Sequence, residues 1–266
     1  MARAVVAGRK AASVVSDRER SCRPASVWAT GDIALRDQLA DRYVAATRAA
    51  AVAMTPAVAR RIILTYTAPG DTVLDPNPTA GIALAEAVRA SRHAVGFQPR
   101  QPRWQSVCDA NLKVAWLAGA PVPARMLTGA ADPQIANLPT AIDLALTGIL
   151  LKPDGTDYHR ALIDLHDDLR GVIDWVWPSG HIVITCRTWH TRHGLLDLPG
   201  EVDDVARSIG LVPHDRCVAL TSRLDAGRDA AARAHLHVLV YTTRAARAPA
   251  TVVRVPGTAC SVEELA

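Results

Sequence analysis

Apolar positions along this chain follow two alternating rhythms. After Thr55-Pro56, a cap with proline at the first helical position, Val58, Ile62 and Ile63 recur at helical spacing until Pro69-Gly70 stops the pattern. Upstream, "DIALRDQLADRYVAATRAAAVAM" brings Ile33, Leu35, Leu39, Tyr43 and Val44 near the same spacing and predicts one helix over 32–54. Short apolar runs then interleave with helical stretches. "TVLDP", "HAVGF", "VPARMLTG", "AIDLALTG" and "GHIVITCRTW" read as strands, and "AIDLALTG" is apolar enough for burial on both faces. "GIALAEAVRAS", "PRWQSVCDANLKVAWLAG", "DYHRALIDLHDDLRGVIDWVW" and "DLPGEVDDVARSIG" read as helices. "LVPHDRCVALTSRL" and "HLHVLVYTTR" supply two last strands. "DAGRDAAARA" between them has no room for a helix, which makes them antiparallel neighbours. Roughly seven strands with helices between the first five predict an α/β, Rossmann-like domain with a mostly parallel sheet over 27–244. Residues 1–26 and 245–266 lack either rhythm and are expected to be loose tails.

Composition supports one large domain. The chain has 266 residues, 49% of them apolar, so a sizeable core can form, but a single Phe leaves Ala and Val much of the packing. The formal charge is +4. Residues 1–26 hold six cationic side chains against two anionic ones, so the tail carries all of that excess and the body is balanced. A solvated end and a nucleic-acid contact are both open to such a tail. Five cysteines without a CxxC pair imply a reducing compartment and no structural zinc. No apolar run reaches membrane-spanning or signal length, and the expectation is a soluble, cytoplasmic protein with no membrane partner.

Candidate chemistry centres on "TVLDPNPTAGIALAEA". In open α/β sheets ligands lie beyond the carboxyl ends of the strands. The strand closing on Asp75 and the helix opening at Gly81 enclose such a place, with helix N–H groups facing it. The loop is neither GxGxxG nor a GKS/GKT phosphate loop, and its prolines remove donors that a diphosphate needs. A nucleoside carrying an amine or sulfonium centre suits it better. The plainer alternative is that Asp75-Pro76 simply ends a strand. Gln98 closes the second strand where a carboxylate normally takes ribose hydroxyls, so the grip there is weakened. "HDD" at 166–168 and "EVDD" at 201–204 read as solvated helix faces.

"MTPAVARRIILTYTAPGDTVLDPNPTAGIALAEAVRASRHAVGFQPRQPRW" resembles the opening of the amino-group DNA methyltransferases, in particular an actinobacterial branch. The resemblance rests on Pro56, Pro69, Gly70, Asp71, Val73, Leu74, Asp75, Pro76, Gly81, Glu86 and Gly96. It resumes at "GHIVITCRTWHTRHGLLDLPGEVDDVARSIGLVPHDRCVAL" and spans about residues 28–243. It implies a seven-stranded sheet with an antiparallel last strand, S-adenosylmethionine as cofactor, and DNA or RNA as partner. It also implies that Asp75, Pro76 and Gly81 flank the methionine part of the cofactor and that Gln98 faces its ribose. Departures are informative. Ala130 stands where the family has an aspartate, with Asp132 two residues on. After the fourth strand, Thr147, Gly148, Ile149 and Leu150 replace an acidic or small polar residue, two prolines and an aromatic. An exocyclic amine is a poor nucleophile and needs acceptors that localise its lone pair, together with a stiff loop and a ring face that grips the base. Thr147 alone retains an acceptor. Tyr158, nearby in sequence, is the candidate for a substitute stacking ring, the alternative being that it simply begins a helix. In "CRTWHTRHG", Arg187 and Arg192 are suited to phosphate and Trp189 to a base, unless this is an ordinary polar loop around a half-buried Trp. His190 and His193 lack a third metal ligand. Two functions follow: a methyltransferase acting on a nucleic-acid base, or a catalytically silent scaffold of the same fold.

Overall fold

The computed structural model describes residues 26–49, 53–122, 124–134, 142–152, 155–191, 194–223 and 234–243. The two expected tails fall outside the described residues, apart from Ser26. Strand β1 is Val27–Trp28, followed by α1 (Leu35–Leu39), α2 (Ala45–Ala49) and α3 (Pro56–Tyr66). Next come β2 (Thr72–Asp75), α4 (Ile82–Arg89), β3 (His93–Phe97), α5 (Arg103–Leu117), β4 (Ala124–Leu127), β5 (Ile142–Gly148) and α6 (Tyr158–Val172). The chain ends with β6 (Val176–Cys186), a hairpin of β7 (Trp189–Thr191) and β8 (Gly194–Leu196), α7 (Leu198–Ser208), β9 (Leu211–Leu220) and β10 (His235–Thr243). No helix among the described residues is long and apolar enough to cross a membrane.

The main sheet runs β1-β9-β10-β6-β5-β2-β3-β4. β2, β3, β4, β5 and β6 pair in parallel, and β10 is inserted antiparallel between β6 and β9. This is the predicted α/β, Rossmann-like sheet with an eighth strand, since Val27 and Trp28 add an edge in parallel to Val218 and Ala219. Strand alternation splits the core. Val73, Leu144, Leu146 and Val183 point into a layer with α1, α3, α4 and α5. Leu74, Ala145, Ile182 and Ile184 point into the opposite layer with α6 and α7.

Local signals explain most boundaries. Thr55 accepts the Val58 N–H at 3.3 Å and Pro56 occupies the first turn, so α3 starts where its cap stands. Asp197 caps α7 through the Gly200 N–H at 3.2 Å. Every residue of α4 from Ile82 to Val88 is buried, as befits a helix wedged between α3, α5 and the sheet. One of them is charged. Glu86, with no exposed surface, accepts Arg42 at 2.8 and 3.0 Å, Arg89 at 3.0 Å and the Tyr43 hydroxyl at 2.7 Å. That anchor corrects one expectation. The single helix predicted over 32–54 breaks after Leu39, where Ala40 is extended and Asp41 is left-handed at φ 56°. Arg42 and Tyr43 bring two further donors to a buried carboxylate that Arg89 alone would satisfy only in part, and this outweighs continued helical periodicity.

Candidate functional site

β5 and β2 lie side by side at the point where the chain's crossovers reverse direction. A cleft of about 440 Å³ opens between the β2–α4 loop, the β3–α5 loop, the end of β5 and α6. Its volume is in the range of small-molecule sites.

Asp75 closes β2 and is 4% exposed. One carboxyl oxygen accepts the Asn77 N–H at 3.0 Å; the other has no hydrogen-bond partner among the described residues. Burial pushes this carboxyl up to about 8; the Asn77 N–H opposes the shift and the Asp168 charge adds to it. Asp75 lines a small cavity of about 20 Å³ beside Thr79, Ala53 and Gly148, at the foot of the larger cleft. Pro76 is buried behind it. Thr79, which lines both spaces, has φ 44°, an uncommon conformation for a β-branched residue. Gly81 follows at φ 74° and donates its N–H to the Pro78 carbonyl at 2.6 Å. A Cβ on Gly81 would stand 2.7 Å from the Cys108 sulfur, so this glycine lets α5 approach the turn. Asn111 of α5 secures the arrangement. Its amide donates to the Ala80 carbonyl at 2.8 Å and the Thr47 hydroxyl at 2.7 Å, and its oxygen accepts the Val44 N–H at 2.8 Å.

Thr147, one strand away, is 4% exposed and lines the cleft. Its hydroxyl has no hydrogen-bond partner among the described residues, while its carbonyl accepts the Thr185 hydroxyl at 3.5 Å. The opposite wall is charged. Arg100, after β3, meets both oxygens of Asp168 at 2.7 Å and the Asp164 carbonyl at 3.0 Å. Arg103 lies 5.0 Å over the Trp104 ring. Two guanidinium groups and three carboxyls, Asp157, Asp164 and Asp168, therefore border the cleft.

No family model matches this chain, and no curated protein matches its sequence. Solved structures do match its architecture. A precorrin-8W decarboxylase from Methanobacterium thermoautotrophicum is 21% identical, covering 76% of this chain and 97% of its own, with a TM-score of 0.50. A precorrin-6y C5,15-methyltransferase from Geobacter metallireducens GS-15 is 13% identical, covering 81% and 99%, with a TM-score of 0.51. The fold is that of the class I S-adenosylmethionine-dependent methyltransferases.

Within this methyltransferase fold the residues singled out from sequence separate into three groups. Asp75 and Thr147 face the cavities at adjacent strand ends, and Pro76 and Gly81 shape the loop between them. Gln98 is exposed, its backbone N–H bonds to the Leu127 carbonyl at 2.9 Å, and its side chain is absent from the cleft wall. Asp132 is occupied within its own turn, accepting Thr128 at 3.0 Å through both N–H and hydroxyl and the Gln134 N–H at 2.9 Å. Tyr158 starts α6, half-buried, its ring 3.7 Å from that of His159. Arg187 donates to the His235 carbonyl at 3.4 Å, and Trp189 packs against the α6–α7 layer from β7. Arg192 and His193 lie outside the described residues. Sequence reasoning missed Thr79, Arg100, Trp104 and Asn111. It also placed Asp168 on a solvated face, whereas that side chain is 12% exposed and turned to the cleft. A charge 68 residues away in Arg100 makes its burial tolerable.

Proposed function

We propose that this protein binds S-adenosylmethionine in the cleft between β2 and β5 and transfers its methyl group to a base of DNA or RNA. One observation carries the reading. Two polar side chains more than nine-tenths buried, Asp75 and Thr147, stand near the ends of adjacent strands, each with an acceptor oxygen that has no hydrogen-bond partner among the described residues; Thr147 lines the cleft, and Asp75 lines the small cavity that shares Thr79 and Gly148 with it. Both oxygens are open to the cavities rather than sealed from solvent, so a ligand entering there meets acceptors that it can pair. The residues fit the group. The cofactor's ammonium and sulfonium centres are cationic, and carboxyls outnumber guanidinium groups around the cleft. When bound, the cofactor supplies an electrophilic methyl group. Asp75, which burial keeps protonated in the ligand-free protein, releases its proton to solvent as the cation docks and then accepts from its ammonium, and Pro76, Thr79 and Gly81 hold the backbone that borders it. Thr147 accepts an N–H of the acceptor amine and so keeps the nitrogen lone pair directed at the incoming methyl. Trp104, with the Arg103 guanidinium 5.0 Å over its ring, gives a flat, cationic edge suited to a base on a phosphate backbone. The roles of Tyr158, Arg187, Trp189 and Arg192 toward the acceptor rest on the resemblance alone: the first three are not among the residues that line the cleft, and Arg192 lies outside the described residues.

A second reading, a scaffold that holds the cofactor without transferring its methyl, is favoured by Ile149 and Leu150. Both line the cleft just past Thr147 and Gly148, and neither side chain can accept a hydrogen bond or stack a base. Calorimetry with S-adenosylmethionine and S-adenosylhomocysteine tests the binding step, and no heat at millimolar ligand would refute both readings. Labelled-methyl transfer to duplex DNA, single strands and RNA then separates them. Thr147→Ala is expected to spare cofactor affinity and lower the transfer rate roughly 10-fold or more; an unchanged rate removes Thr147 from the mechanism.

A further inference from the structure

Gln98, at the end of β3, stands in solvent with its side chain outside the cleft wall. A nucleoside in the cleft would have to find its hydroxyl acceptor elsewhere. The opposite wall provides one. Asp168 is 12% exposed at its side chain, and what remains open lines the cleft. Arg100 holds it with two parallel bonds of 2.7 Å, one to each oxygen. A carboxylate accepts about four hydrogen bonds, so each oxygen keeps one lone pair after the guanidinium is satisfied. Two acceptors a carboxylate's width apart match the vicinal hydroxyls of a ribose. Arg100 also bonds the Asp164 carbonyl at 3.0 Å, which fixes α6 against the β3–α5 loop before any ligand arrives.

Building on the cofactor reading above, we infer that Asp168 of α6, positioned by Arg100, is the carboxylate that binds the ribose hydroxyls of the adenosyl ligand, in place of a residue at the end of β3. The ligand's diol docks onto the two oxygen edges that Arg100 leaves free. Arg100 is a positioning residue: it touches the carboxylate and orients it. The cleft is therefore specific for ribonucleosides through a helix rather than through the loop that follows β3.

The test uses calorimetry on the full chain with S-adenosylhomocysteine and its 3′-deoxy analogue. Wild-type protein is expected to bind the parent ligand roughly 10- to 100-fold more tightly than the analogue, the span of one hydrogen bond to a charged group. Asp168→Asn should reduce that preference to a few-fold. A purely structural role would weaken both ligands equally and leave the ratio intact, which overturns the assignment. Gln98→Ala, at an exposed site, should keep the full preference; its loss there would return the role to the end of β3. If Asp168→Asn fails to fold, Arg100→Lys should still shrink the ratio, because one ammonium cannot hold both oxygens; an unaltered ratio counts against the proposal. Wild-type protein that binds the parent ligand without discriminating refutes this inference alone, whereas wild-type protein that binds neither ligand removes the cofactor reading with it.

Discussion

Replacing Asp75 with asparagine keeps the shape of the side chain and removes its ionisation. The carboxyl is enclosed at the end of β2 and is pushed from an ordinary 3.8 up to about 8. The unfolded chain ionises this group near pH 4, while the folded chain retains the proton until about pH 8. Between those values the native state binds the extra proton, so stability is fully present below about pH 4 and falls as pH rises to about 8. At pH 7 the interval of about three units corresponds to roughly 4 kcal/mol of native-state penalty. Asparagine does not ionise, and its amide oxygen can still accept the Asn77 N–H. Asp75→Asn is therefore expected to be more stable than wild type by about 2–4 kcal/mol at pH 7.5, with the gap closing toward pH 4. Urea denaturation at half-unit steps from pH 4 to 8 measures it. The variant should also bind S-adenosylmethionine at least roughly tenfold more weakly, a stability gained at the expense of function. A stability difference independent of pH, or wild-type stability that climbs from pH 5 to 8, would refute the reasoning.

Glu86→Ala leaves Arg42, Arg89 and the Tyr43 hydroxyl without their shared acceptor and should destabilise by about 3 kcal/mol in chemical denaturation. Gly81→Ala forces a Cβ to 2.7 Å from the Cys108 sulfur at φ 74°, and a loss of about 1–3 kcal/mol is expected, visible as a lower Tm. Thr79→Gly relieves a left-handed β-branched residue and should raise stability by about 1 kcal/mol in the ligand-free protein.

The alternation of strand and helix was legible because its signals are local: an apolar run, a cap, a proline or a glycine. Asp75 could be picked out for the same reason, as the residue that ends a buried run before Pro76. Features set by distant partners were not legible. The break at Ala40 depends on Glu86, more than forty residues on. Strand β1 has two residues, too few to show a period, and exists only because β9 offers an edge. Asp168 looks like any charge on a polar helix face until Arg100 is placed beside it. The half-burial of Trp189 was among the readings the sequence offered, but the pairing of β7 with β8 around it was not.

A single amide, that of Asn111, is shared by α5, α2 and the turn before Gly81. Any ligand that shifts the Ala80 carbonyl must turn that amide, and the Val44 N–H then loses its acceptor. Proton exchange at Val44 becomes a spectroscopic gauge of occupancy, read on a helix-flanking residue that no ligand in the cleft needs to touch.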